Sequence, residues 1–118
     1  MKLKKIKKVL ELETIVDGDD ELEIHRGCGS DLMSDVLAFS QGKTLLLTGL
    51  TNPQVVRTAE MIGIKVIIFT RGKRPQSETV TLAQKKDIAL YISFKSQFES
   101  CGLLYKSGIK PEKIRNIN

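Results

Sequence analysis

Short apolar runs alternate with amphipathic segments along most of the chain. Three runs, at residues 44–48, 65–70 and 88–92, are almost wholly apolar and lack polar alternation. Runs of this kind are typical of parallel strands that are covered on both faces. The segments that follow them have apolar residues at helical spacing. We therefore predict an α/β fold with three layers, in which a mostly parallel sheet carries helices on both faces.

Four helices are predicted between the strands and after them. The first begins at Ser30 or Asp31 as its cap and ends at Gln41-Gly42, where glycine accepts a left-handed conformation. Its broad apolar face consists of Leu32, Met33, Val36, Leu37 and Phe39. The second begins with Asn52 as N-cap and Pro53 at the first helical position. The last two begin at Ser77 and after Ser96, and the final helix carries Phe98, Leu103 and Leu104.

The first 25 residues allow two interpretations. Leu3, Ile6 and Leu10 have helical spacing, whereas residues 9–16 are equally compatible with a strand. We favour a helix followed by a strand at residues 12–16. The sequence at residues 17–20, Asp-Gly-Asp-Asp, predicts a turn, and the alternation in residues 22–25 predicts a half-exposed strand.

Composition fits one intracellular domain. The chain has 118 residues, of which 41% are hydrophobic and 28% charged, so we expect a single domain over residues 1–118. Its basic start has no apolar segment of a signal peptide, which predicts a cytoplasmic protein without a membrane partner. The two cysteines, Cys28 and Cys101, are too few for a disulfide framework and are expected to stay reduced.

The net charge of +5 raises the question of nucleic-acid binding. The basic residues are spread over several predicted elements, and seven acidic residues lie within residues 1–23. Aromatic residues make up only 5% of the chain and tryptophan is absent, so bases would find few stacking surfaces. We therefore expect no nucleic-acid partner.

The candidate catalytic and metal-binding motifs are incomplete. Residues 41–44, Gln-Gly-Lys-Thr, imitate a P-loop, but Leu37 stands where glycine is needed and the predicted order is helix, loop, strand. His25 and Cys28 have a metal-ligand spacing, but only the distant Cys101 could add a further soft ligand. His25 is also the only possible histidine base for a cysteine nucleophile. We expect no enzyme activity, metal or cofactor.

Asp31 and Asp35 lie four residues apart on one predicted helix. Paired carboxylates of this kind serve in acid–base chemistry or bind Mg²⁺. The alternative is that Asp31 caps the helix, where the dipole favours negative charge, and that Asp35 is simply exposed. We favour the capping interpretation.

Three polar loops that contain glycine follow predicted strands, at residues 27–31, 48–52 and 70–74. Ligands of open α/β sheets bind at the carboxyl ends of strands, and helix amino termini there favour anions. The same residues would also serve in ordinary strand-to-helix turns. The predicted site for a small anion consists of Gly29, Ser30, Asp31, Thr48, Gly49, Thr51, Asn52, Thr70, Arg71, Gly72 and Arg74.

At these loops the chain resembles the DRTGG domain family. Residues 29–36, Gly-Ser-Asp-Leu-Met-Ser-Asp-Val, are similar to the SDLLSDV stretch of short, stand-alone members. Residues 67–75 resemble the strand that runs into Thr-Gly-Gly-x-x-Pro; Thr70 and Gly72 match, and Arg71 replaces the first glycine. The resemblance covers roughly residues 10–108. It implies a fold similar to the N-terminal domain of HPr kinase/phosphorylase, without its kinase domain.

We therefore expect a regulatory module without catalytic activity that senses a small anionic ligand, with an adenine nucleotide as the first candidate. The competing hypothesis is an assembly domain without a ligand, most simply a homodimer or a module that binds a protein partner. Its contact surface would be the N-terminal segment, if Leu3, Ile6 and Leu10 are poorly covered, or the last helix.

Overall fold

The computed structural model describes residues 1–113 and contains five helices and six strands within them. In chain order these are α1 Leu3–Leu10, β1 Glu13–Val16, β2 Arg26–Gly29, α2 Met33–Phe39, β3 Thr44–Thr48, α3 Pro53–Ile62, β4 Val66–Phe69, α4 Ser77–Lys86, β5 Ala89–Ile92, α5 Gln97–Ser107 and β6 Lys110–Pro111. Every helix in this described part is too short or too polar to cross a bilayer.

The six strands form one mixed sheet in the order β1-β5-β4-β3-β2-β6. All neighbours pair in parallel except β1, which runs antiparallel to β5 at one edge. The strands β2, β3, β4 and β5 are consecutive in the chain and also adjacent in the sheet. The connection through α5 then returns the chain to the opposite edge. The predicted α/β architecture is confirmed.

The alternation of side chains along the strands divides the core into two layers. Leu45 and Leu47 face one side of the sheet with residues of α1 and α5, whereas Leu46 faces the other side with residues of α2, α3 and α4. Both faces of the central strands are therefore buried, which explains why their sequences do not alternate between polar and apolar residues.

Helix α1 is fully part of this core. Leu3, Ile6 and Leu10 are completely buried, so the favoured order of helix and then strand is confirmed. Burial follows from their spacing, since residues three and four apart share one face of a helix. The N-terminal segment is thus not poorly covered, and of the two contact surfaces that the assembly hypothesis offered, only the last helix is left.

The predicted caps are correct in the later helices. The Asn52 side chain accepts a hydrogen bond from the Gln54 N–H, Pro53 opens α3, and Gly63 ends it with a left-handed φ of 88°. Ser96 accepts from the Glu99 N–H at the start of α5. These residues satisfy backbone groups that a helix end otherwise leaves unpaired.

The segment around β2 and α2 differs from the prediction. The strand covers Arg26–Gly29 rather than residues 22–25, because the glycines expected in a loop pair in parallel with β3. Neither Ser30 nor Asp31 caps α2, whose N-cap position is Leu32. The left-handed residue after α2 is Lys43, with φ 62°, rather than Gly42.

Helix α2 is also less buried than its sequence indicates. Only Val36 of the predicted apolar face is fully buried, and Leu32 and Leu37 are exposed. The helix has seven residues, and besides Val36 it contributes only the partly buried Met33 to the core on this side of the sheet.

Candidate functional site

Four loops leave the sheet at the edge where the parallel strands end, which we call the carboxyl edge. They are residues 30–32, 49–52, 70–76 and 93–96, and they follow β2, β3, β4 and β5. The first three carry the predicted site residues except Gly29 and Thr48, which are the last residues of β2 and β3. Parallel pairing places them side by side, because all four strands run in the same direction.

Backbone hydrogen bonds join these loops to one another. The Thr70 N–H donates to the Thr48 carbonyl at 3.0 Å, and the Gly72 N–H donates to the Ser93 carbonyl at 2.8 Å. The Arg71 N–H donates to the Lys95 carbonyl at 2.9 Å. The loop after β4 is therefore held between its two neighbours, which limits its freedom to move.

Asp31 links the loops after β2 and β3. Its Oδ1 accepts a hydrogen bond from the Thr48 hydroxyl at 3.0 Å and from the Gly49 N–H at 2.7 Å. The expected helix cap is therefore wrong, because the neighbouring loop offers the carboxylate two donors. Ser30 makes a local hydrogen bond just before α2, since its hydroxyl oxygen accepts from the Leu32 N–H at 3.1 Å.

A lysine that the prediction did not include lies beside this carboxylate. The Lys73 Nζ is 3.7 Å from the point where a Cβ on Gly49 would lie, and Asp31 Oδ2 is 3.4 Å from the same point. Within residues 1–113, neither Lys73 nor Arg71 is within 4.0 Å of a carboxylate oxygen. The centre of the edge thus combines a carboxylate with cations that have no ion-pair partner there.

The turn that carries these cations is tight. The Lys73 N–H donates to the Thr70 carbonyl at 3.2 Å, and Arg71 and Gly72 have φ values of 60° and 65°. Two successive positive φ values are those of a type I′ turn. A Cβ on Gly72 would lie 2.9 Å from Cδ1 of Phe94, so glycine is needed there for space as well.

Gly29 and Thr70 have packing roles. The buried Thr70 hydroxyl donates to Oε1 of Gln97 at 3.3 Å. A Cβ on Gly29 would lie 2.7 Å from the Cys101 sulfur. Gly29 therefore allows α5 to approach the sheet closely, and both residues are occupied by contacts with that helix.

Arg74, Thr51 and Asn52 are likewise occupied by internal contacts. The Arg74 guanidinium donates to both carboxylate oxygens of Glu13, at 2.7 and 2.9 Å, and this carboxylate raises the pKa of Arg74. The Thr51 carbonyl accepts from the Thr79 hydroxyl at 2.7 Å. Asn52 caps α3. The predicted residues therefore lie at one edge, but Asp31, Thr48, Gly49 and Lys73 form its centre, and Arg71 stands in the turn that carries Lys73.

The candidate nucleophile and metal ligands do not assemble into a site. Burial raises the pKa of the Cys28 thiol to about 12, which disfavours a reactive thiolate. Among the described residues, no group of three or more His, Cys, Asp or Glu side chains is placed to hold a metal ion. Asp31 is engaged with the Gly49 loop, and the exposed Asp35 lies on α2, so the interpretation as an acid pair gains no support.

Sequence reasoning missed Lys73, Gln97 and Phe94. Lys73 lies inside the predicted loop, and its place between two residues of the proposed site was a usable signal. Gln97 and Phe94 follow the fourth strand, β5, whose loop contains no glycine and was therefore not included. Counting the carboxyl ends of all parallel strands would have brought in this loop.

Comparison with known proteins shows a similar fold. No protein-family model matches the chain, and no curated protein sequence matches it. Solved structures with this fold include the CBS and DRTGG domains of the regulatory region of Clostridium perfringens pyrophosphatase, in complex with its activator diadenosine tetraphosphate. The TM-score is 0.70 at 16% sequence identity, and the match covers 92% of this chain. This chain spans 47% of the length of that structure.

Proposed function

We propose that this protein is a ligand-sensing regulatory module without catalytic activity, which binds a small anionic ligand at the carboxyl edge of its sheet. The observation that carries the proposal is the cluster of Asp31, Gly49 and Lys73, in which the loops after three strands meet. We further propose that the ligand is an adenine nucleotide.

The cluster contains both a carboxylate and a cation, and it therefore suits a ligand that has both a hydroxyl group and a phosphate group. Oδ1 of Asp31 already takes the Gly49 N–H, so an anion would be repelled from this position. Oδ2 remains to accept a hydrogen bond from a sugar hydroxyl. A phosphate would bind instead to Lys73 and Arg71, which have no carboxylate partner within residues 1–113.

Phe94 supports the adenine part of the proposal. Its ring lies against Gly72, next to Lys73 in the chain, and 61% of the residue is exposed. An exposed aromatic ring beside cations offers a stacking surface for a base. The similar regulatory region was crystallised with an adenine nucleotide activator, which supports a sensing role for this fold.

Isothermal titration calorimetry with AMP, ATP and diadenosine tetraphosphate tests the proposal. Lys73→Gln should weaken nucleotide binding about tenfold, as expected for the loss of a charge-assisted hydrogen bond. Lys106→Gln is the matched control, because this exposed lysine on α5 lies outside the edge loops. Equal affinities of the two variants, or no binding by the unaltered protein, would rule out this site.

Asp31→Asn distinguishes a nucleotide from a simple anion. The variant keeps the shape of the side chain but removes its charge. It should weaken AMP binding through the lost acceptor and leave inorganic phosphate binding equal or stronger, since repulsion is relieved. If AMP and phosphate respond alike, the proposed role of Asp31 toward a sugar hydroxyl is wrong.

An assembly role through the last helix is the second candidate function. Phe98 is 90% exposed and Tyr105 is 69% exposed, and they lie seven residues apart on one face of α5. Exposed large apolar residues on one face favour a protein contact. Sedimentation should then show a dimer for the unaltered protein and a folded monomer for Phe98→Asp; a monomer in both cases would exclude this role.

A further inference from the structure

A second concave surface lies at the opposite end of the sheet, where β6, β2 and β3 begin. Its volume is about 630 Å³, within the range of roughly 300–1,000 Å³ that small-molecule pockets occupy. We call it the amino-edge cleft. It is lined by Met1, Ile24, His25, Arg26, Gly42, Lys43, Gly108 and Lys110.

The charged side chains that line the amino-edge cleft are all positive. Arg26, Lys43 and Lys110 are cationic, and no Asp or Glu belongs to the lining. The Met1 ammonium is neutralised by Glu23 at 3.2 Å. As far as the structure describes the chain, no carboxylate oxygen lies within 4.0 Å of the other three cations.

Strand pairing brings these three residues to one end of the sheet. Arg26 is opposite Lys110 on one side and opposite Thr44, the residue after Lys43, on the other. Arg26 and Lys110 therefore begin two neighbouring strands, spaced about 4.8 Å apart, and Lys43 directly precedes the third. The Lys43 carbonyl accepts from the His25 N–H at 3.0 Å, and the His25 carbonyl accepts from the Lys110 N–H at 3.1 Å.

This arrangement favours the binding of a counter-charge. Like charges next to each other on neighbouring strands repel, and the Arg26 guanidinium is held at this edge by its hydrogen bond to the Pro111 carbonyl at 2.9 Å. Lys43 also keeps a φ of 62°, which is unfavourable for a residue with a side chain. An anion that reaches all three cations would relieve the repulsion.

We propose that the amino-edge cleft binds a small polyphosphate anion, a ligand with several linked phosphate groups, through Arg26, Lys43 and Lys110. The size of the cleft suits a small molecule, and three cations in its lining suit a ligand that carries several negative charges. This site is separate from the carboxyl edge, so the inference does not depend on the proposed function.

Calorimetric titration with tripolyphosphate, at an ionic strength held constant with NaCl, tests this proposal. Lys110→Gln and Lys43→Asn should each weaken binding about tenfold, since each removes one charge-assisted contact. Asparagine is chosen at position 43 because it tolerates a left-handed backbone. Lys106→Gln and Lys85→Gln, which remove the same charge at exposed positions of α5 and α4, should bind as the unaltered protein does. Lys73→Gln is measured beside them to separate this cleft from the carboxyl edge.

Several results would overturn the proposal. They are the absence of tripolyphosphate binding, an equal loss in the Lys106→Gln control, a loss only in Lys73→Gln, or tighter binding of a single-stranded oligonucleotide through the same residues. Urea unfolding shows whether each variant is folded. If Lys43→Asn does not fold, Arg26→Gln and Lys110→Gln give the same test.

Discussion

Arg71 stands in a backbone conformation that favours glycine. Its φ is 60°, and Gly72 follows with φ 65°, so the turn after β4 would accept glycine at both positions. The Thr-Gly-Gly-x-x-Pro pattern that residues 70–75 resemble has two glycines here, and this chain has glycine only at the second position. Arg71 therefore adds a cation to the carboxyl edge, and its left-handed backbone conformation is less stable than that of a glycine would be.

The two positions of this turn should respond oppositely to substitution. Arg71→Gly relieves the strain and is expected to raise the free energy of unfolding by up to about 1 kcal/mol. Gly72→Ala is expected to lower it by about 1–3 kcal/mol, because the new Cβ would lie 2.9 Å from Phe94 Cδ1 in a left-handed conformation.

Urea unfolding of both variants checks this prediction. Under the proposed function, Arg71→Gly should also weaken nucleotide binding although the protein becomes more stable. A destabilised Arg71→Gly, or a Gly72→Ala as stable as the unaltered protein, would contradict the geometry of the turn.

At the scale of elements, α1 and α2 show that a similar apolar pattern can lead to different burial. All three apolar residues of α1 at helical spacing are buried between α5 and the sheet. In α2 only Val36 is fully buried. The difference lies in the neighbours, since the apolar residues of α1 share a cluster with α5 and with β3, β4 and β5, whereas α2 contributes only Val36 and the partly buried Met33 to the cluster on the other face.

Leu10→Asp is therefore expected to unfold the protein rather than release a monomer from an assembly. A carboxylate placed in the core without a partner should cost about 4 kcal/mol or more. Lys8→Asp introduces the same side chain at an exposed position of α1 and should cost about 1 kcal/mol at most. Urea unfolding with sedimentation compares them; a stably folded Leu10→Asp would show that α1 is not core.

At the scale of the whole molecule, buried acidic groups couple stability to pH. Burial raises the pKa of the Tyr91 hydroxyl from its ordinary value of 10.0 to about 12. Tyr91 donates to Asp17 at 2.8 Å and accepts from the Gly18 N–H at 2.9 Å, which fixes the turn after β1. The fold thus holds this proton more tightly than the unfolded chain does.

Stability should consequently fall as pH rises above the ordinary pKa. Below pH 9 both states keep the tyrosine proton, whereas between about pH 10 and 12 only the unfolded chain releases it. Tyr91→Phe should make the decline between pH 9 and 11 shallower, after an overall loss of about 1–3 kcal/mol from the missing hydrogen bonds.

Tyr105→Phe is the matched control, because Tyr105 is exposed and its hydroxyl makes no hydrogen bond to another side chain within residues 1–113. Free energies of unfolding measured in urea at each pH give the two slopes. A slope unchanged by Tyr91→Phe would mean that Tyr91 ionises equally easily in both states.

The regular half of the fold could be predicted because its signals are local. The apolar runs of β3, β4 and β5 and the caps at Asn52 and Ser96 act through neighbours in the sequence. The location of β2 could not be predicted in this way. Gly27 and Gly29 have a weak preference for strands, and only pairing with β3 places them in the sheet.

The pattern of polar and apolar residues determined the α/β class and the parallel direction of β3, β4 and β5, and hence the edge at which the loops after β3 and β4 meet. The tertiary structure alone decided which side chains remain available there. Arg74 donates hydrogen bonds to Glu13, which is 61 residues away in the chain, and Asp31 accepts one from Gly49, which is 18 residues away. These contacts depend on which residues the fold brings close together in space, and the spacing of residues along the chain does not show that.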